Sequence, residues 1–379
     1  MTNDERNPND QNPNSRAFCR LQKFLGLWLL LAATAGWGQT SNIKSDQTVV
    51  FFPSMGWRVA GGKEWELEIH GCIYELDRRT LELAALRGVL ALDRVKMDAD
   101  ELATFKARTR LFLADNKGGH VIVVRLGGKD YPLKKSGANG HFIGTLRLGD
   151  EEIENLRRVA GGNRVEFHAV MPPKDSRVFA GAVDLVDNAG VTVISDIDDT
   201  IKITEVRERR AMLRNTFLEG FRAAPGMAEV YRAWAREPET EFYYVSASPW
   251  QLFLPLDDFI RANGFPAGIF CLKHFRVKDE SFFSLFEAPG PYKLRVVEPL
   301  LKQFPDRRFV LVGDSGEQDP EAYAALARKY PRQVSHIYIR NVTNEGPDSA
   351  RFQKDFKDLP AGMWQVFTEP GEINKEIRN

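Results

Sequence analysis

Ser195-Asp196-Ile197-Asp198-Asp199-Thr200-Ile201-Lys202 places three carboxylates and two neighbouring hydroxyls directly after Val191-Thr192-Val193-Ile194, an apolar, β-branched run. Such a run reads as a buried parallel strand. In an open α/β sheet, ligands bind beyond the carboxyl ends of the strands. A core has no use for unpaired carboxylates there, because burying them is costly. A divalent cation and a phosphoryl group would account for them. Three further islands carry related chemistry. Tyr244–Trp250 (YVSASPW) ends a strand in hydroxyls, Lys293 stands near the start of a helix, and Val312–Asp319 (VGDSGEQD) ends another strand in carboxylates. Parallel strands run one way, so the strand-end islands can share one rim.

Each residue type has a physical task. A phosphoryl group is anionic and repels a carboxylate nucleophile, and a divalent cation bridging the two removes that repulsion. Mg²⁺ prefers oxygen ligands, a couple of carboxylates and several waters. Asp196 and Asp314 can supply those carboxylates. Lys293 offers a point charge to phosphoryl oxygens, and Ser246 with backbone N–H groups can donate to the same oxygens. A second carboxylic acid must protonate the leaving alkoxide and then activate water. Helix N-capping explains one carboxylate per strand end, but not Asp196, Asp198, Asp314 and Asp319 together. Ser246 or Ser248 can cap the helix that Pro249 opens while the other binds phosphate. Lys202 reaches either phosphate or water. Arg207, Arg209, Arg210 and Arg214 read as a solvated helix face.

The ordered islands resemble the four motifs of haloacid-dehalogenase-like phosphatases. The longer strings Ser195–Val206 (SDIDDTIKITEV), Tyr244–Leu252 (YVSASPWQL) and Phe309–Tyr323 (FVLVGDSGEQDPEAY) narrow this to the phosphatidate phosphatase catalytic-domain family, over roughly residues 190–341. The resemblance implies an aspartyl-phosphate mechanism with Mg²⁺ and phosphatidate as substrate. It implies that Asp196 is the nucleophile and a metal ligand. Asp198 is then the general acid/base, with its backbone carbonyl on the metal. Thr200 helps hold the loop, and Ser246 and Lys293 bind the phosphoryl group. Asp314 ligates the metal, and Asp319 does so directly or through water. Lys278 competes with Lys293 in a similar interval, but Lys293 heads the helix leading into Phe309.

The elements that must position these residues change character along the chain. From Val191, apolar runs alternate with helical stretches, the signature of a parallel sheet. Strands are expected at 191–195, 242–245, 268–272, 309–312 and 336–339, and helices at 226–236, 249–263, 292–304 and 320–329. Residues 41–190 read mainly as β. Runs at 48–52, 65–70, 140–146 and 164–170 suggest strands, with a bulge near Gly71 and a hairpin pairing 110–114 with 121–124. Helices are expected at 81–92 and from Asp98 to about Arg108. The expected architecture is therefore a β-rich, sandwich-like domain at 41–190, a Rossmann-like α/β phosphatase domain at 191–341, and an irregular tail at 342–379. The histidines His70, His120, His141 and His168 fall in separate strands and read as structural or surface residues. His274 reads as a surface histidine.

At 379 residues the chain can hold two sizeable cores. Lys+Arg and Asp+Glu are both 52, and neither a basic arm nor an acidic tail points to nucleic acid. Cys19, Cys72 and Cys271 lack metal-ligand spacing, and Cys72 and Cys271 read as free thiols. Residues 1–38 combine a polar start, a basic flank (Arg16, Arg20, Lys23), an apolar run of about a dozen residues and an Ala-x-Ala site. This suggests export, or anchoring through an uncleaved signal segment. Phe282-Phe283-Ser284-Leu285-Phe286 follows Arg276 and Lys278. It reads equally as a lipid-facing lip at a membrane surface and as packing. The expected partner is a phosphorylated substrate, a phospholipid by resemblance. A soluble phosphomonoester, phosphoryl transfer to another hydroxyl, and a lipid-binding module with an idle site are the other readings.

Overall fold

The structure is a computed structural model and describes residues 39–59, 61–76, 80–274 and 290–377. The signal-like segment, the Phe282–Phe286 run, Arg276 and Lys278 lie outside the described residues. The described residues from Gln39 onward form one compact unit. Among the described residues no helix is long and apolar enough to cross a membrane.

The first sheet contains β1 (Gln47–Phe52), β2 (Ser54–Arg58), β3 (Glu64–Glu75), β4 (Asp115–Asn116), β5 (Val123–Leu126), β6 (Lys129–Pro132), β7 (His141–Gly149), β8 (Arg164–Ala169) and β9 (Ala180–Val186). It is hydrogen-bonded continuously and antiparallel except between β2 and β9. Period-2 alternation in β3 and β7 sends Trp65, Leu67, Ile69, Phe142, Leu146 and Leu148 into one core with Val165, Phe167 and Leu185. Gly71 brings no bulge: β3 pairs without interruption with β1 and β7. The glycine is needed for closeness, since a Cβ there would stand 2.4 Å from the Phe142 ring and 2.6 Å from the Val50 carbonyl oxygen. The expected hairpin is also displaced. It joins β5 to β6 through Gly127 and Gly128, both at positive φ, which suits a two-residue turn. Residues 110–114 form no strand; Phe112 there packs 5.9 Å from Phe217.

Three helices interrupt this sheet: α1 (Thr80–Val89), α2 (Ala99–Thr109) and α3 (Asp150–Ala160). Asp98 caps α2 in a capping box with Glu101, as its position suggests. Ile153 and Leu156 of α3 join the core of the first sheet. Leu86 of α1 and Phe105 of α2 instead join a core built on the second sheet. The stretches read as separate β-rich and α/β parts thus share packing.

The second sheet is parallel and contains β10 (Val191–Asp196), β11 (Thr240–Pro249), β12 (Ile269–Lys273), β13 (Arg308–Asp314), β14 (Val334–Arg340) and β15 (Trp364–Phe367). Its helices are α4 (Arg209–Phe217), α5 (Met227–Trp234), α6 (Phe253–Ala262), α7 (Gly290–Gln303), α8 (Asp319–Lys329) and α9 (Ala350–Asp355). Alternate residues of each strand serve two cores. Val191, Val193, Val310 and Val312 face one, and Ile194, Leu311, Ile337 and Ile339 face the other. This is why the strands read as unbroken apolar runs. The stretch after residue 341 is less irregular than its polar composition suggests, because β15 pairs with β14. The spatial order β12-β11-β10-β13-β14-β15 reverses direction at β10 and β13. A crevice opens at such a reversal, beyond the strands' carboxyl ends.

Candidate active site

Asp196 is the last residue of β10 and Asp314 the last of β13, and these strands are neighbours at the reversal. Both carboxylates are buried. Thr200 donates from Oγ1 to Asp196 Oδ2 at 2.9 Å, and the Lys293 ammonium lies 2.8 Å from Asp196 Oδ1. The nucleophile candidate is therefore held at both oxygens. Lys293 comes from the first turn of α7 and is itself fully buried. It also pairs with Asp319 and, at 3.2 Å, with Glu317.

Asp319 opens α8 and turns back, accepting the Asp314 backbone N–H at 3.1 Å. Gly313 permits this, because a Cβ there would lie 2.1 Å from Asp319 Oδ2. Asp314 Oδ1 accepts from the backbone N–H of Gly316 and Glu317. Asp314 Oδ2 is buried with no hydrogen-bond partner. Such an orphan is expensive to leave without a donor or a cation. One ligand atom each from Asp196, Asp314 and Glu317 falls within 4.8 Å of the others. Glu317 was not singled out by sequence reasoning, although it stands between Asp314 and Asp319. Asp319, expected near the metal, is turned onto Lys293 and backbone.

Burial pushes Asp196 well above the usual carboxylate range; Lys293 opposes this, and Asp319, Glu317 and Asp314 add to it. Asp314 is raised by burial and then by Asp319 and Glu317. Burial takes Glu317 up to about 7, with Lys293 opposing and Asp319 adding. Burial also works against the Lys293 ammonium, but Asp196, Asp319 and Glu317 outweigh it and raise its pKa well above the usual value. Four carboxylates sharing one ammonium cannot all ionise without a further positive charge, which is the meaning of the raised values, and a divalent cation would supply it. The donor set is all oxygen, which fits Mg²⁺.

Asp198 lies beside this group in a second set of contacts. Lys202 pairs with its Oδ1 at 2.7 Å, and Thr204 donates to the same oxygen at 2.8 Å. Ser246 and Ser248 donate to Oδ2 at 2.9 and 3.2 Å. Burial would raise Asp198, yet Lys202, Thr204 and Ser246 hold it below the usual range. Lys202 is thus buried and committed to Asp198, and does not stand free toward a phosphate. Ser246 Oγ also accepts the Ser248 backbone N–H at 2.9 Å.

Asp199, without a task in the sequence reading, holds the loop. Its carboxylate accepts the backbone N–H groups of Thr204, Glu205 and Val206, and its carbonyl accepts from Arg340. Its φ of 57° places it in the left-handed region, which Asp tolerates better than most residues. A small cleft opens beside Asp198 and Ser248, walled by Val206, Met212, Phe217, Pro249 and Leu252, with Glu317 at its edge. Cys72 and Cys271 are both free, and burial pushes each thiol up to about 12.

Comparison with known proteins matches residues 191–341 to the family described as "Phosphatidate phosphatase APP1, catalytic domain". The chain is 40% identical over 291 residues to the protein named phosphatidate phosphatase APP1 of Saccharomyces cerevisiae, covering 74% of this chain and 48% of that protein. It is 30% identical over 174 residues to an uncharacterised protein of Schizosaccharomyces pombe, covering 45% of this chain and 28% of that one. The chain therefore spans about half the length of the first relative and less of the second.

Proposed function

We propose that this chain, whose residues 191–341 belong to the phosphatidate phosphatase catalytic-domain family, hydrolyses a phosphate monoester through an aspartyl-phosphate on Asp196, with phosphatidate as substrate. One observation carries the reading. The buried Asp196 carboxylate, gripped by Thr200 and Lys293, sits beside an Asp314 oxygen that lacks any partner. That pairing suits a nucleophile that must share a cation with an anionic group.

The residues divide the work as follows. Thr200 orients Asp196 through Oδ2. Lys293 moves from Asp196 Oδ1 to an incoming phosphoryl oxygen, which frees Oδ1 to attack. Ser246 turns its hydroxyl from Asp198 Oδ2 to another phosphoryl oxygen, joined by the backbone N–H of Ala247. The contacts of Lys202 and Thr204 keep Asp198 ionised and so prepare it to take a proton from water in the second half. For the first half it must take up a proton from solvent as the substrate enters and draws Ser246 away, and pass that proton to the leaving alkoxide. Asp196, Asp314 and Glu317 would hold Mg²⁺, which supplies charge neutralisation between nucleophile and phosphoryl group. The apolar cleft at Val206, Met212, Phe217 and Leu252, of about 80 Å³, suits only the first carbons of a leaving group and not acyl chains, so the phosphatidate assignment rests on the family likeness. Export, or anchoring through residues 16–38, is the proposed localisation, and N-terminal sequencing of the mature protein with fractionation tests it.

The decisive experiment is phosphate release from phosphatidate vesicles and from a soluble aryl phosphate. Each is run with Mg²⁺, with chelator, and with Asp196→Asn. Mg²⁺-dependent release by wild type, lost in Asp196→Asn, supports the reading. No release from either substrate overturns it, and release from the soluble ester alone removes the lipid assignment.

A further inference from the structure

Two histidines of the first sheet and one beside the second, expected to act separately, meet in space. His70 lies in the middle of β3, His141 opens β7, and His274 directly follows β12. His70 Nε2 and His141 Nδ1 are 3.1 Å apart. The His141 and His274 rings have centroids 4.5 Å apart and cross at 80°. One ring nitrogen from each of the three falls within 4.8 Å of the other two. Nitrogens bound tetrahedrally at 2.0–2.1 Å stand about 3.3 Å apart. The His70–His141 pair, here hydrogen-bonded ring to ring, is already near that separation, so ligation would replace the shared proton with the ion. The exposed His274, within 4.8 Å of both, would have to draw closer.

We propose that His70, His141 and His274 form a three-imidazole site for a divalent transition metal ion of the zinc class, distinct from the carboxylate site at Asp196 and Asp314. The surroundings suit that occupant. Burial holds His70 and His141 well below the usual histidine range, with the neighbouring imidazoles adding, and lowers His274 as well. Neutral rings keep the lone pairs that ligation needs. Phe52 and Trp250 pack against His70 at 4.7 and 4.8 Å between centroids and restrict water. Glu68 is on the same face of β3 as His70 and lines the same cavity of about 600 Å³, which gives a dication a nearby anion. His141 and His274 line a second cavity of about 350 Å³. A fourth coordination position thus stays reachable by water or a small ligand. An all-imidazole donor set selects Zn²⁺, Co²⁺, Ni²⁺ or Cu²⁺ over Mg²⁺. The ion would also tie β3 and β7 to the end of β12, and so fasten the two sheets together.

The test uses the full chain with saturating Mg²⁺ and titrates Co²⁺, with Zn²⁺ as competitor. Wild type is expected to bind one equivalent with the visible absorption of tetrahedral, imidazole-bound Co²⁺, displaced by Zn²⁺. His274→Gln and His141→Gln should each weaken binding more than about a hundredfold, while Asp314→Asn keeps it. Because His274 is exposed, its variant should melt like wild type in chelator, and Zn²⁺ should raise the melting temperature of wild type only. Absence of the band, wild-type affinity in His274→Gln, or loss of the equivalent in Asp314→Asn instead would each overturn the assignment.

Discussion

The Nζ of Lys293 lies 2.8 Å from Oδ1 of Asp196, and neither side chain reaches solvent. The two come from different strand–helix units, roughly a hundred residues apart in the chain, and meet because the sheet order reverses between β10 and β13. Lys293 also answers Asp319 and Glu317. It is the only described cation placed directly on the Asp196 carboxylate.

Lys293→Met therefore has two expected effects. Phosphate release should fall roughly a thousandfold, since the phosphoryl oxygens lose a preorganised charge. In chelator the variant should also lose about 3–5 kcal/mol of stability, because Asp196 and Asp319 remain buried without their partner. Denaturant unfolding with and without Mg²⁺ checks this. Mg²⁺ should restore part of the stability and none of the activity.

Glu317→Gln should act differently. If Glu317 shares the cation with Asp196 and Asp314, the Mg²⁺ concentration for half-maximal phosphate release should rise at least about tenfold. The maximal rate at high Mg²⁺ should recover substantially. Ser246→Ala should instead lower the maximal rate with little change in Mg²⁺ demand. An Mg²⁺ titration of both variants separates the two behaviours.

These residues were unequally legible in the sequence. Asp196 and Asp314 could be read because each ends an apolar run, so the strand itself announces the rim position. Lys293 could be placed because it heads a helix leading into the next strand. The role of Asp199 could not be read, since it depends on the loop turning back to offer three N–H groups. Residues 110–114 were as apolar as a strand, but Phe112 is used against Phe217 and the pairing passed to β5 and β6. The β15 strand was masked by its polar surroundings, and its place comes from pairing with β14 alone. The histidine cluster was invisible because it is a relation between β3, β7 and β12, which no local pattern encodes.

Glu241, at the start of β11, should make stability depend on pH. Burial pushes its carboxyl up to about 7, with Asp184 adding and Arg307 and Arg164 opposing. The folded state thus binds the proton more tightly than the unfolded chain, whose value is near 4.5. The contribution to stability is complete below 4.5 and is lost as pH rises through about 7. Glu241→Gln should flatten the stability profile across that window and be more stable than wild type at alkaline pH. Urea midpoints measured across the window test the sign directly.

Arg307 should matter for folding and not for chemistry. It is buried, and its guanidinium donates to the carbonyl oxygens of Asp187, Ala189, Val191 and Glu239 and to Thr192 Oγ1. Those groups belong to the link from β9 to β10, to the start of β10 and to the entry into β11. One planar fork thus closes the amino-terminal end of the second sheet, where the first sheet hands over the chain. Arg307→Met leaves several carbonyls buried without donors, at an expected cost of about 4 kcal/mol. Arg307→Lys should recover little, because a single ammonium cannot reproduce the fork. Asp196 stands at the opposite end of β10, about 16 Å away along the strand. Phosphate release per folded molecule should therefore stay near wild type in both variants. A fall in specific activity without a shift in the unfolding midpoint would show that Arg307 acts on the site and not on the fold.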